Sequence, residues 1–382
     1  MGSRSGWVDV LRGWAALSVI LLHVNIRVAF SDTALGKWLP RQVYNVVFRS
    51  GFHGVRVFFV ISGFLITSRA LERWGSTAGI VARQFYRMRF ARIAPCLLAF
   101  IALQSILQLG GVTPFASGAR PGELPSAIFS ALTFHLNWFE ARHGYLPGAW
   151  DVLWSLSVEE AFYLGFPLAC AFIESERALL AVFAVFVVLG PLARVVFTQN
   201  EIWQDYAYLA CMDSIAMGCA VAVLARRFSA AASNRKSWLL LAAGVIGFVA
   251  VICFRRTVFQ LGLPRAGLDT TLLGLGTAAI LWALRWRPSW DAGARLPGLR
   301  VLRWFGRNSY EVYLLHMFVV LPLTWVFKRW GRPTAAIIPL YLAAAILTGI
   351  GAAAIARYFS EPLNRRLRAG TSPAQTAPTV AP

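Results

Sequence analysis

WVDVLRGWAALSVILLHVNIRVAF, residues 7–30, is long and apolar enough to cross a bilayer as one helix, yet it contains Asp9, Arg12 and His23. A spanning helix needs about 20 mostly apolar residues. Ten residues stand between Arg12 and His23. At about 100° per residue the two side chains share one helix face, roughly 16 Å apart along the axis. Ionisable groups inside a lipid-spanning segment are costly and by default face a polar cavity or a functional partner. The segment therefore predicts a membrane protein with an acid-base group at depth.

The rest of the chain agrees with that class. Of 382 residues 58% are hydrophobic, mean hydropathy is +0.59, and charged residues are 14% against about 25% in an ordinary soluble domain. A net charge of +20, from 37 Lys and Arg against 17 Asp and Glu, is a nucleic-acid signature only in a soluble chain with a basic face. Here the basic residues cluster between apolar stretches, as cytoplasmic loops do, so nucleic acid is excluded as a partner and the lipid bilayer takes its place. Cys96, Cys170, Cys211, Cys219 and Cys253 lie in or beside apolar segments without metal-ligand spacing, which reads as buried free thiols and no metal. Arg4 precedes the first apolar run as in a signal peptide, but Arg12 and the lack of a small-residue cleavage site favour an uncleaved span.

Apolar segments fall near residues 7–29, 51–70, 94–110, 124–139, 152–173, 178–198, 206–225, 237–254, 267–285, 309–327 and 336–358. The 124–139 segment is short, is introduced by Pro121 and Pro125, and holds His135 and Asn137. If it does not cross, the basic runs Arg69 to Arg92, Arg226 to Lys236, Arg285 to Arg307 and Arg365 to Arg368 all lie in the cytoplasm, as the positive-inside rule asks. The expectation is an all-α polytopic bundle of about ten transmembrane helices with both termini cytoplasmic and 124–139 re-entrant. The membrane domain is expected over residues 1–366, with a disordered Pro-, Thr- and Ala-rich tail over 367–382.

This topology sorts the ionisable residues into two layers. Asp9 and Arg12 fall on the cytoplasmic side, while His23, Arg56, Glu159, Glu160 and Asp213 fall deeper. The inner layer continues into RQFYRMRFARIAP, where Arg83, Arg87, Arg89 and Arg92 cluster. Arg89 and Arg92, three apart, put two guanidiniums on one helix face, suited to gripping phosphates; fixing topology alone would also explain such a run.

Six blocks in order carry a resemblance. VDVLRGWAALSVILLH is similar to the Asp-x-x-Arg-x10-His opening of the acyltransferase-3 family of membrane acyltransferases. Gly54 to Thr67 resembles its second span, Arg89 to Pro95 its Arg-x-x-Arg loop, and WSLSVEEAFYL (Trp154 to Leu164) its Ser-Leu-Ser-x-Glu-Glu segment, with Ala161 where relatives usually carry Gln. Asn308 to His316 and Tyr358 to Pro362 resemble its closing motifs. The resemblance covers nearly all of residues 7–366 and leads to the expectation of a stand-alone membrane domain without a fused esterase-like domain.

The resemblance implies transfer of an acyl group, commonly acetyl, from acetyl-CoA or another acyl-CoA to a hydroxyl of a saccharide or other cell-envelope or exported molecule, at the bacterial inner membrane. On that reading His23 is the general base, or forms an acyl-histidine. Arg12 orients the donor or stabilises developing charge, Asp9 steadies Arg12, and Glu160 orients His23. Arg87, Arg89 and Arg92 hold donor phosphates. His53, Arg56, Asn137, Tyr313 and His316 are acceptor-side candidates, although Arg56 also suits an ion pair with Glu160 or Asp213. A transporter or flippase without acyl-transfer chemistry is the competing class; it would be favoured by inverted repeats with broken helices, which this sequence does not display.

Overall fold

The computed structural model describes residues 5–228 and 233–369. Ten helices of eighteen residues or more carry the architecture: α1 Gly6–Arg27, α2 Gly51–Trp74, α3 Ala82–Leu109, α4 Leu153–Phe172, α5 Glu176–Val196, α6 Tyr208–Arg227, α7 Asn234–Cys253, α8 Asp269–Trp286, α9 Ser309–Arg329 and α10 Ile337–Ile355. No strand occurs among the described residues. Eight of the ten meet the length and hydropathy of a membrane span; α4, which contains Glu159 and Glu160, and the short α8 do not. The chain is a polytopic helical membrane protein. Residues 370–382 of the expected tail lie outside the described residues, and Leu367 and Arg368, placed in that tail by sequence, instead continue a short helix that begins at Glu361.

The weak 124–139 segment forms two short helices, Glu123–Leu132 and Leu136–His143, turning at Phe134, whose φ is +59°. Ten and eight residues reach about 15 and 12 Å, well short of a roughly 30 Å hydrocarbon core. With this segment on one side, the ten helices alternate ends. At one end lie the basic runs, tied by Arg285–Glu72 (3.7 Å) and Arg307–Asp9 (3.9 Å), and by Asp291, whose Oδ1 accepts the Gly6 and Trp7 N–H groups at 2.5 and 3.2 Å and caps the start of α1. At the other end lie the 28–50, 110–152 and 254–268 connections, including the bond from Arg255 to the Arg49 carbonyl (3.0 Å).

Helices α2 and α6 are central and mostly buried, whereas α7 is peripheral and mostly exposed. Peripheral faces present Phe172, Ile246 and Ile350 outward, as lipid-facing side chains do. Two glycines set the packing of α1. A Cβ on Gly13 would overlap the Leu302 carbonyl and one on Gly306 the Asp9 carbonyl, so α1 and the helix Arg300–Arg307 approach backbone to backbone. Such contacts, rather than a hydrophobic force between helices, bind apolar helices in lipid.

Candidate active site

Three cavities run in series through the bundle. The first, about 440 Å³, opens at the basic end and is walled by Arg12, Arg69, Arg89, Arg92, Glu159 and Tyr163 among others. A narrow one of about 80 Å³ shares Arg12, Phe58, Glu159 and Tyr310 with it and reaches Ser155 and Tyr313. The third, about 660 Å³, shares Val55 and Tyr313 with the narrow one and is walled by His23, Arg27, Asp151, Trp154 and Tyr206, with loop residues of the opposite end at its rim.

His23 sits four residues from the end of α1, so the Val19 carbonyl one turn back lies 2.9 Å from its Nδ1. If Nδ1 carries the proton, as that carbonyl requires, Nε2 is the free basic nitrogen. Its neighbour is His316, fully buried on α9, with ring centroids 4.9 Å apart. Nδ1 of His316 lies 2.6 Å from the Tyr313 carbonyl, and its Nε2 has no hydrogen-bond partner. Tyr313 is fixed between two cavities: it accepts from Ser155 Oγ at 2.7 Å and donates to the Val152 carbonyl at 2.9 Å.

Eleven residues earlier on the same unbroken helix, Arg12 walls both the basic cavity and the narrow one. Asp9 is buried one turn below and reaches Arg307. Arg89 walls the basic cavity, its guanidinium 5.5 Å from the Tyr163 ring. Two expected phosphate contacts are placed differently. Arg92 lies on that wall but binds Glu311 through both of its Nη atoms, at 2.9 and 3.3 Å. Arg87 points away from the cavity and caps the last short helix, donating to the Leu367 and Ala369 carbonyls. The whole run is helical rather than a loop, because α3 begins at Ala82 and passes through Pro95.

Of the two α4 carboxylates, the one on the cavity walls is Glu159, which accepts from the Tyr163 hydroxyl at 2.8 Å. Glu160, expected beside His23, is buried 100° around the helix with Oε1 unpartnered and walls none of the three cavities. His53 and Arg56 wall none of them either. Arg56 is fully buried and donates to the Ala210 and Asp205 carbonyls at 2.6 and 2.9 Å, so it fastens α2 to the start of α6. The expected partner Asp213 is held instead by Arg194 at 2.7 Å. Asn137 acts one layer out: its Nδ2 donates to the Tyr206 carbonyl at 2.8 Å and so places a wall residue of the third cavity.

Sequence reasoning missed Arg27 and Asp151. Arg27 follows His23 by four residues and donates to its carbonyl at 2.9 Å, a spacing that alone put it on the same face. Asp151 stands just before the α4 motif, in a loop whose course only the fold reveals. Beside it, Glu140 is fully buried and accepts the Leu146 N–H at 3.0 Å. Burial first, then the Asp151 charge, raises Glu140 well above the carboxylate range, and burial pushes Asp151 up to about 6 against the opposing pull of Glu140, Tyr206 and Arg27. The pair holds a proton to which Glu140, the more enclosed partner, has the stronger claim.

Residues 5–357 match the acyltransferase domain family. The chain is 26% identical over 84% of its length to a peptidoglycan O-acetyltransferase of Listeria monocytogenes and covers 50% of that protein. It is 28% identical over 85% of its length to a putative peptidoglycan O-acetyltransferase of Bacillus subtilis, covering 50% of it. With an O-acetyltransferase of Staphylococcus aureus the figures are 23%, 94% and 57%. The chain thus spans about half the length of the curated relatives it matches, and no solved structure matches it. A match over the whole helical bundle, including the helices that bring Arg12, Arg89 and His23 to the cavity series, makes this chain a member of the acyltransferase-3 family.

Proposed function

We propose that the protein is a membrane O-acyltransferase that moves an acyl group, acetyl in the first instance, from acyl-CoA on the cytoplasmic side to a hydroxyl of a saccharide on the other side of the inner membrane. The observation that carries this reading is the cavity series, which runs from a basic mouth at Arg89, past Arg12 and Glu159, to the imidazole of His23. A donor with phosphates at one end and a thioester on a long flexible arm fits a path that is basic at one end and narrow in the middle. The printed names of the relatives support the O-acetyl chemistry and make peptidoglycan the first acceptor to test.

In this mechanism the donor phosphates meet Arg89 and the arm lies along the narrow cavity beside Arg12. The acceptor enters the third cavity, and His23 Nε2 takes the proton from its hydroxyl as the oxygen attacks the thioester carbonyl. The tetrahedral intermediate collapses, the carbon–sulfur bond breaks, and the imidazolium returns the proton to the departing thiolate. A positioned base contributes about 10²–10⁴-fold in rate. His316 packs against His23 as a second, fully buried imidazole, with ring centroids 4.9 Å apart.

The test is turnover of acetyl-CoA by purified protein with soluble peptidoglycan fragments. Wild type should transfer acetyl and His23→Ala should not; equal thioester consumption by both, with no ester formed, would sink the assignment.

A further inference from the structure

The cavity around His23 has a wall that the transfer chemistry leaves unused. Asp151 Oδ1 and Glu140 Oε2 are both buried and neither has a protein donor. They belong to neighbouring carboxyls that exchange a hydrogen bond when one of them is protonated. Glu140 Oε1 already accepts the Leu146 N–H, so a proton shared by the pair has Glu140 Oε2 and Asp151 Oδ1, the two oxygens without a donor, left to bridge. Asp151 itself is only partly buried and walls the cavity beside the Tyr206 hydroxyl, and its second oxygen, with two lone pairs, can accept from a bound molecule as well as from Tyr206. Next to it stand Arg27, a donor, and an aromatic surface: Trp154 and Tyr206 are stacked with centroids 4.0 Å apart and planes within 4°, and Tyr145 is exposed at the rim.

The strap that carries Asp151 is firmly seated. Trp150 is fully buried and donates to Gln108 at 2.8 Å, and the Ala149 N–H donates to Gln104 at 3.3 Å. A carboxylate oxygen, a guanidinium and flat apolar rings in one cavity match a ring that carries several hydroxyls on its edge and C–H groups on its face.

Resting on the acyltransferase reading, the geometry points to Asp151, buttressed by Glu140 and flanked by Arg27, as the acceptor-positioning residue that selects polyhydroxylated rings over simple alcohols. Asp151 accepts from hydroxyls that do not react, while a neighbouring hydroxyl is presented to His23. The residue positions the acceptor and takes no proton in the transfer.

The experiment uses the full chain in lipid nanodiscs, acetyl-CoA as donor, and two acceptor probes: soluble peptidoglycan disaccharide fragments and butanol. Wild type should acetylate the saccharide and not butanol. Asp151→Asn, which preserves shape, should raise the saccharide KM about tenfold to a hundredfold, as expected for a lost hydrogen bond to a charged group, with the acetyl-CoA KM unchanged and kcat altered less. Tyr145→Ala, at an exposed site, should raise the saccharide KM several-fold. An unchanged saccharide KM in a folded Asp151→Asn protein overturns the inference while leaving His23-dependent transfer intact. Equal use of butanol and saccharide by wild type overturns it as well, and so does a wild type that acetylates no saccharide fragment. Loss of any difference between wild type and His23→Ala overturns instead the acyltransferase reading beneath it.

Discussion

The imidazoles of His23 on α1 and His316 on α9 lie 4.9 Å apart, and His316 is wholly enclosed. Two positive rings this close would repel strongly in a medium of low dielectric. The pair is therefore built to hold one proton at most, a property that suits a base which charges only during turnover. His23→Ala is expected to lower kcat about 10²–10⁴-fold. His316→Gln, which retains a polar group near the Tyr313 carbonyl, is expected to lower it by about tenfold. Single-turnover acetyl transfer measures both, and an inert His23→Ala substitution is the outcome that removes the base.

The basic residues of α3 should separate by role. Arg89→Ala is expected to raise the KM for acetyl-CoA about tenfold without loss of stability. Arg87→Ala should leave that KM unchanged, since Arg87 serves the last helix. Arg92→Ala strands Glu311, whose side chain is fully buried, and should cost about 3 kcal/mol of stability. Donor titrations beside thermal unfolding in detergent distinguish the three; a donor KM that moves only with Arg87 would reverse the assignment.

The buried cluster at the start of α6 is structural. Arg194 binds Asp213, Thr271 and the Gly267 and Ala210 carbonyls, tying α5, α6 and α8. Arg194→Met should destabilise by about 3–5 kcal/mol, the usual cost of leaving one charge of a buried pair alone. Whatever folds should keep its substrate KM values. Thermal melting and kinetics on the same preparation decide this, and a stable variant with altered KM would place the cluster in the site.

Stability should depend on pH through the Glu140–Asp151 pair. Burial raises Asp151 to about 6 in the folded chain, against about 3.9 unfolded. The native state thus binds more protons across that window, and stability falls as pH climbs from about 4 to about 6, by on the order of 3 kcal/mol. Asp151→Asn should flatten the profile. Melting temperatures between pH 4 and pH 8 test the sign, and a wild-type profile that rises over that interval contradicts it.

Substituting Gly13 by Ala should be among the most damaging single-methyl changes, because the new carbon would overlap the Leu302 carbonyl of a facing backbone that has no side chain to move. Loss of folded protein on size exclusion is the expected result. A normal yield with full activity would show that the two helices can part at little cost.

Much of this was legible along the chain. Hydropathy located the ten long helices, and proline spacing with polar content marked 124–139 as the segment that fails to span. The face shared by Arg12 and His23 followed from helix geometry alone. What escaped was anything decided by rotation of one helix against another. Glu159 and Glu160 are adjacent in sequence, and only packing chooses which of them walls the cavities. Arg56 and Arg194 are both buried arginines, yet only the fold shows that Asp213 goes to the second. Asp151 and Glu140 are joined by a loop whose course no local pattern dictates.

Because α1 runs unbroken from the mouth of the path to the imidazole, the distance a donor must reach is set by a single rigid rod wedged by Gly13 and Gly306. Under the proposed mechanism the molecule would measure its donor: a thioester on a truncated arm, held by the same phosphates, would stop short of the ring, and no hinge in that rod could shorten the gap for it.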